Sequence, residues 1–308
     1  MRKTLLYLII VKKLIDNKPF SVAIKIVSLL VASFLLRFFI LPTEFFSIDT
    51  TDFIQKYLNN ETLSIPQWFS MFWNSNIRQL TWQFIIVIII LLIFRFRFKK
   101  ADNFRLTRHT AIIALICFLI SATGLLFVLH YDVIHDGLTW QSRIADVLYI
   151  IFMVALYEEF VYRGFITNEL FKLKQDGMKS PTAIAISAVI FGFIHIEPAI
   201  YLLLFLGFTH SITNLSTWGQ FIFTAGCGVS WAVILYYRKD IISLICIHAT
   251  INIMDSSYIS SGRSVLMGAL YVIFFISFVV FYPAFLIYKA KINRKLMSKA
   301  DNLQGNHE

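Results

Sequence analysis

The sequence has little charge. Asp, Glu, Lys and Arg make up 15% of its 308 residues, whereas 58% are hydrophobic. Soluble domains carry about a quarter charged residues, so a water-soluble globular fold is excluded for most of the chain. The apolar residues come in long uninterrupted stretches, and the short alternating segments of a membrane β-barrel are missing. Cysteine is scarce: Cys117, Cys227 and Cys246 fall inside apolar segments with no CxxC spacing. They read as small buried hydrophobes. No H-E-x-x-H helix, internal repeat, low-complexity tract or second soluble domain occurs. No A-x-A-like cleavage site follows the short run Leu5–Val11, which makes it an interfacial helix rather than a signal peptide. The net charge of +10 is not a nucleic-acid signal, because Lys and Arg fall between apolar segments as membrane topology requires.

What is present is a series of apolar runs near the length of about 20 residues that a spanning helix needs. They are Val22–Leu41, Leu80–Phe98, Thr110–Leu129, Ile144–Ile166, Pro181–Ile196, Phe221–Tyr237, Ile241–Ile259 and Val265–Tyr288. Ser180-Pro181 makes a good helix start, and Leu41-Pro42 a plausible helix end. Lysines and arginines cluster at Lys12–Lys18, Arg95–Arg108, Lys172–Lys179, Arg238-Lys239 and Lys289–Lys299. Acidic residues mark the intervening loops. The positive-inside pattern then places both termini in the cytoplasm. Ala199–Ile212 would break the alternation and is short, so it reads as re-entrant or interfacial. The expected fold is an all-α, polytopic transmembrane helical bundle of about eight spans. Residues 1–143 form the N-terminal interfacial helix and accessory spans, residues 144–259 the core, and residues 260–308 the last span and a basic tail.

Six polar residues interrupt these runs. Glu158, Glu159 and Arg163 share one segment, His195 lies in the next, and His248 with Asn252 in a third. An ionisable group at mid-membrane costs roughly 2.5–3.5 kcal/mol on insertion scales. An interhelical hydrogen bond returns only about 0.6 kcal/mol, which suits one His or Asn but not a Glu-Glu pair. Residues four apart share a helix face, so His248 projects with Asn252 and Glu159 with Arg163. One glutamate can pair with Arg163 while the other faces a cavity. Peptide hydrolysis needs a base for water, donors for an oxyanion and a proton source for the leaving amine. Glu with His, and His with Asn, provide all three. Two histidines and a carboxylate are also a zinc set, and that chemistry stays open. If a metal such as zinc is the cofactor, Glu158, His195 and His248 would hold it. His210-x-x-x-Asn214 repeats the third spacing but falls at the end of the short segment, and reads as an exposed helix end. His130, His135 and His109 sit at interfaces. Trp68, Trp73, Trp82, Trp140 and Trp218 read as lipid contacts and interfacial anchors.

Glu158-Glu159-x-x-x-Arg163, Phe191-x-x-x-His195 and His248-x-x-x-Asn252 together resemble the three ordered motifs of the CPBP intramembrane proteases. That family includes CAAX prenyl endopeptidases and bacteriocin-processing and self-immunity proteins. Gly226-Cys227-Gly228 and Tyr236-Tyr237-Arg238 before His248 add to the likeness, which covers roughly Ile144–Met254. The resemblance implies that Glu158 activates water with His195 assisting, that His248 and Asn252 bind the oxyanion, and that Glu159 and Arg163 organise the site. It implies no cofactor in a glutamate mechanism and a divalent metal in the older metalloprotease view. The partners would be the lipid bilayer and a membrane-associated peptide or protein substrate. The Ile-, Phe-, Lys- and Asn-rich composition points to a bacterial cytoplasmic membrane, and hence to peptide processing or self-immunity. Two other classes compete: a non-proteolytic immunity or regulatory partner, and a proton-coupled transporter. The transporter reading lacks the paired repeats and broken helices usual in that class.

Overall fold

A computed structural model describes residues 17–36, 80–93, 106–135, 147–196, 215–260 and 264–304, with isolated positions 144, 200 and 203. Among the described residues the architecture is all helical, without a strand. Helix α1 is Lys18–Leu35, α2 is Leu80–Ile93 and α3 is Arg108–His135. Next, α4 is built from the π-helical segments Ile150–Leu156 and Glu159–Thr167, the α-helical turn Asn168–Lys172 and a closing 3-10 turn, Leu173–Asp176. Then come α5 (Ser180–His195), α6 (Leu215–Arg238) and α7 (Ile241–Ser260). The last rod, α8, runs through Val265–Phe275, a π-helical Ile276–Phe281 and Tyr282–Gln304.

Five helices are long and apolar enough to cross a membrane: Lys18–Leu35, Arg108–Phe127, Thr217–Arg238, Ile241–Tyr258 and Val265–Ser298. Leu80–Ile93 and Ser180–His195 are apolar but shorter. The expected span Pro181–Ile196 is thus a 16-residue helix. At ~1.5 Å per residue it reaches about 24 Å, less than the ~30 Å of hydrocarbon that a span must cross. The interfacial segment Leu5–Val11, the Leu41-Pro42 helix end, His210, Asn214, Trp68, Trp73 and Trp140 lie outside the described residues.

Helix α7 is the centre of the bundle. Of its apolar window 61% is buried, against 17% for α1, and it packs on α3, α4 and α8. Helices α5 and α6 form the other close pair. On the outside, Val27, Val31, Leu115, Phe118, Ile222 and Ile273 are exposed, as surfaces that contact lipid should be. Trp218 is exposed as well. Trp82 is different: its ring packs edge-on against Tyr157 at 5.2 Å and leans on the core. Trp82 thus makes an interhelical contact near the start of α2.

The α5–α6 pair depends on small residues, since backbone contact between membrane helices requires them. A Cβ on Gly192 would sit 2.9 Å from both Ala225 Cβ and the Phe221 carbonyl oxygen. The opposing backbone cannot yield, so Gly192→Val is expected to destabilise by about 1–3 kcal/mol, the usual cost of overpacking. Thermal unfolding in detergent would measure this, and an unchanged midpoint would refute the close packing.

Turning an apolar helix into π register frees carbonyls that must find donors inside the bundle. Side chains supply them. Gln83 Nε2 donates to the Met153 carbonyl at 2.7 Å, Thr167 Oγ1 to Tyr162 at 2.7 Å, and Asn168 Nδ2 to Gly164 at 2.8 Å. In α8, Pro283 has no N–H to offer the carbonyl four residues back, that of Val279. Ser230 Oγ of α6 donates to that carbonyl at 2.6 Å.

Beyond α4, Gly177 at φ 96° closes the chain into the left-handed conformation, which turns it toward α5. Glu169 there is buried and accepts from Lys25 of α1 at 3.0 Å and from Lys172. Burial pushes its carboxyl up, but the hydrogen bonds from Lys172 and Lys25 outweigh it and leave the value below an ordinary glutamate. A depressed carboxylate stabilises the fold above its unfolded pKa, and that contribution disappears as pH falls through the folded value. Acidification below about pH 4.3, the ordinary glutamate range, should therefore loosen α1 from α4. Glu169→Gln should lower stability at neutral pH by about 1–3 kcal/mol and flatten the acid limb of a melting-temperature scan. An acid limb identical to wild type would sink the assignment.

Candidate active site

The site is assembled where α4, α5 and α7 meet. The π segment of α4 is buried on every side from Glu159 to Thr167, so its polar residues have only each other and neighbouring helices as partners. Glu159 Oε1 accepts from His248 Nδ1 at 2.9 Å, and Glu159 Oε2 lies 3.5 Å from Arg163 Nε. Glu159 is therefore shared between Arg163 of its own helix and His248 of α7. The side chains of Glu159 and Arg163 are 0% and 1% exposed, which seals both away from solvent and substrate.

Glu158 points elsewhere. Its Oε2 is 3.8 Å from His195 Nε2 and 4.0 Å from His248 Nε2. Glu158 and His195 retain 19% and 20% side-chain exposure, so they form the accessible edge of the cluster. The opposite nitrogens are already engaged. His195 Nδ1 lies 2.7 Å from the Phe191 carbonyl, which can only accept, so Nδ1 carries a hydrogen. His248 Nδ1 must likewise donate to the Glu159 carboxylate. Both rings consequently turn Nε2 toward a single carboxylate oxygen, which has no hydrogen-bond partner among the described residues.

Asn252 stands one turn beyond His248 on α7 and is half-buried. No hydrogen bond joins it to the other five residues. The structure thus brings Glu158, Glu159, Arg163, His195 and His248 into one connected cluster, and leaves Asn252 beside it.

Two aromatic residues complete the cluster. The Arg163 guanidinium lies 3.7 Å from the Phe191 ring centroid and 4.9 Å from that of Trp231. Trp231 of α6 also stacks on His248, with centroids 4.4 Å apart and planes at 33°. Phe191 meets His195 edge-on at 4.6 Å. A desolvated cation over aromatic faces gains about 2 kcal/mol. That gain matters here because none of the guanidinium nitrogens of Arg163 has a hydrogen-bond acceptor among the described residues. Trp231 was not legible as a site residue. Its only signal was a tryptophan in the middle of an apolar span, where tryptophan is normally interfacial.

The donor types fit zinc: two imidazole Nε2 atoms and a carboxylate, each imidazole held by an outer acceptor. The spacing does not. Among the described residues no group of three His, Cys, Asp or Glu side chains is arranged to hold a metal ion, so no step below passes through one. The cysteines are free, Cys117 and Cys227 being buried and Cys246 partly so.

Residues 140–254 match the family model of the type II CAAX prenyl endopeptidase Rce1-like proteins. This stretch resembles an Rce1-like domain, which is consistent with the CPBP family. The match covers less than half of the 308-residue chain but contains all six polar positions. No curated protein and no solved structure matches the chain. At the level of family, this likeness supports an intramembrane endopeptidase, and the long apolar helices point to a membrane-embedded, multi-pass protein.

Proposed function

We propose that the protein hydrolyses a peptide bond in a membrane-associated peptide or protein, using water activated by Glu158 and His195. The observation that supports this most directly is the convergence of both imidazole Nε2 atoms on Glu158 Oε2 at 3.8 and 4.0 Å. Such gaps are too long for direct hydrogen bonds and suit one water between the three groups.

In the proposed reaction Glu158 takes a proton from that water while His195 Nε2 accepts its other hydrogen and aims it. The water oxygen bonds to the substrate carbonyl carbon, and the carbonyl electron pair moves onto oxygen. Asn252 donates to this oxyanion. His248 donates through Nε2 when its ring carries both protons, with the Glu159 carboxylate as counter-ion on Nδ1. Collapse breaks the C–N bond, and the proton held by Glu158 passes to the leaving amine. Glu159, Arg163, Phe191 and Trp231 hold the two imidazoles in place without touching substrate. The accessible edge of the cluster, within helices exposed to lipid, favours a substrate delivered through the membrane. Peptide processing or self-immunity in a bacterial cytoplasmic membrane is the role we favour.

The test compares peptides released by membranes containing wild-type protein with those from Glu158→Ala membranes, each with and without a zinc chelator. Products present only with the wild type, and insensitive to chelator, are expected. Identical peptide sets would overturn the protease reading. Loss with chelator that zinc restores would replace the glutamate mechanism with a metal one.

A further inference from the structure

At the basic end of the bundle, where α6 ends and α5 begins, Lys174 and Lys239 converge on the Tyr236 side chain. Lys174 Nζ donates to the phenol oxygen at 3.0 Å and lies 5.4 Å from the ring centroid. Lys239 Nζ lies 5.6 Å from the same ring and 5.2 Å from Phe171. The charge of Arg294 of α8 also acts on the phenol. Lysines from two separate elements thus meet at one aromatic ring.

Among the described residues the carboxylates are spent elsewhere. Asp176 pairs with Lys18, Glu169 with Lys25 and Lys172, and Glu159 with Arg163. Asp240, next to Lys239, is buried and accepts from Thr110 and Ser243. The Lys239 backbone has φ 55°, a conformation uncommon outside glycine, asparagine and aspartate. That turn sends its side chain back over Phe171 and Tyr236. Burial pulls the Lys239 ammonium below its ordinary value, the phenol acts the other way, and Lys174 repels it. Like charges held together without a carboxylate partner among the described residues favour an anion.

We propose that Lys174 and Lys239, with the Tyr236 hydroxyl, bind a phosphate group, and that this phosphate is the headgroup of an anionic membrane lipid. The lipid source follows from position. Ile186 of α5 and Val229 of α6, further along the two helices that end at this cluster, are exposed apolar residues, as an acyl chain requires. Basic residues at span ends meet anionic headgroups at about 1 kcal/mol each. The inference does not depend on the protease reading.

The full chain in phosphatidylcholine nanodiscs, with or without phosphatidylglycerol, provides the test. Phosphatidylglycerol should raise the unfolding midpoint of the wild type. The double variant Lys174→Gln/Lys239→Gln should lose most of that rise, and a control double variant, Lys291→Gln/Lys295→Gln, should keep it. The control removes the same charge from exposed positions of α8. Should the first pair fold poorly, Tyr236→Phe keeps the ring and removes only the hydroxyl, and should still reduce the rise. Equal loss in both double variants, or an undiminished rise in the Lys174/Lys239 or Tyr236 variant, would overturn the site. Stabilisation by inorganic phosphate in detergent, without a response to phosphatidylglycerol, would overturn the lipid assignment.

Discussion

Glu158→Gln protein is expected to fold and insert like the wild type and to lose cleavage by about 10²–10⁴-fold, the usual contribution of a positioned general base. The change is nearly isosteric, and Glu158 is only partly enclosed, at 19% exposure. Its Oε2 has no hydrogen-bond partner to lose among the described residues. Stability should therefore move little while turnover collapses. The amide cannot accept a proton from water, and its NH₂ would turn a donor toward the cluster where an acceptor stood. The measurement is single-turnover cleavage of whichever peptide the membrane comparison identifies, alongside an unfolding curve. Cleavage within a few-fold of wild type would remove Glu158 from the chemistry, and a large fall in stability would make it a structural residue.

Arg163→Ala carries the second large effect, and it falls on stability. The side chains of Arg163 and Glu159 are sealed, at 1% and 0% exposure. Removing one partner of a buried ion pair leaves an uncompensated charge and costs about 3–5 kcal/mol. The Phe191 and Trp231 rings would also lose the cation beside them. Lysine should rescue poorly, because an ammonium is a compact, strongly hydrated point charge that lacks the planar guanidinium's affinity for aromatic rings. The informative companion is Arg163→Met/Glu159→Gln, which removes both charges and keeps the volume. It should recover much of the stability, as hydrophobic replacements of buried pairs often do, and still fail to cleave, since His248 loses its carboxylate. Chemical unfolding in detergent separates these outcomes. An Arg163→Ala protein as stable as the wild type would show that the pair is not structural.

Much of this protein could be read from its residues in order. An ionisable group in an apolar run is costly enough to stand out, so Glu158, Glu159, Arg163, His195 and His248 were visible one by one. Long apolar runs also announced an all-helical membrane protein. The four-residue spacing linked Glu159 to Arg163 in advance, but the link between Glu159 and His248 crosses from α4 to α7. No spacing rule reaches that far. The run Pro181–Ile196 forms an apolar helix of 16 residues, a length that composition alone does not fix.

The sequence by itself determined which groups would be buried at a cost, because that cost depends only on residue type and on the apolar run around it. Tertiary structure alone decided how the cost is met. It brought Gln83 of α2 to the Met153 carbonyl, joined His248 of α7 to Glu159, and set Phe191 and Trp231 about Arg163. The reason is physical. Hydrogen bonds and cation–aromatic contacts act over a few ångströms, and the partners come from helices far apart in the chain. Their distances do not exist until the helices have packed.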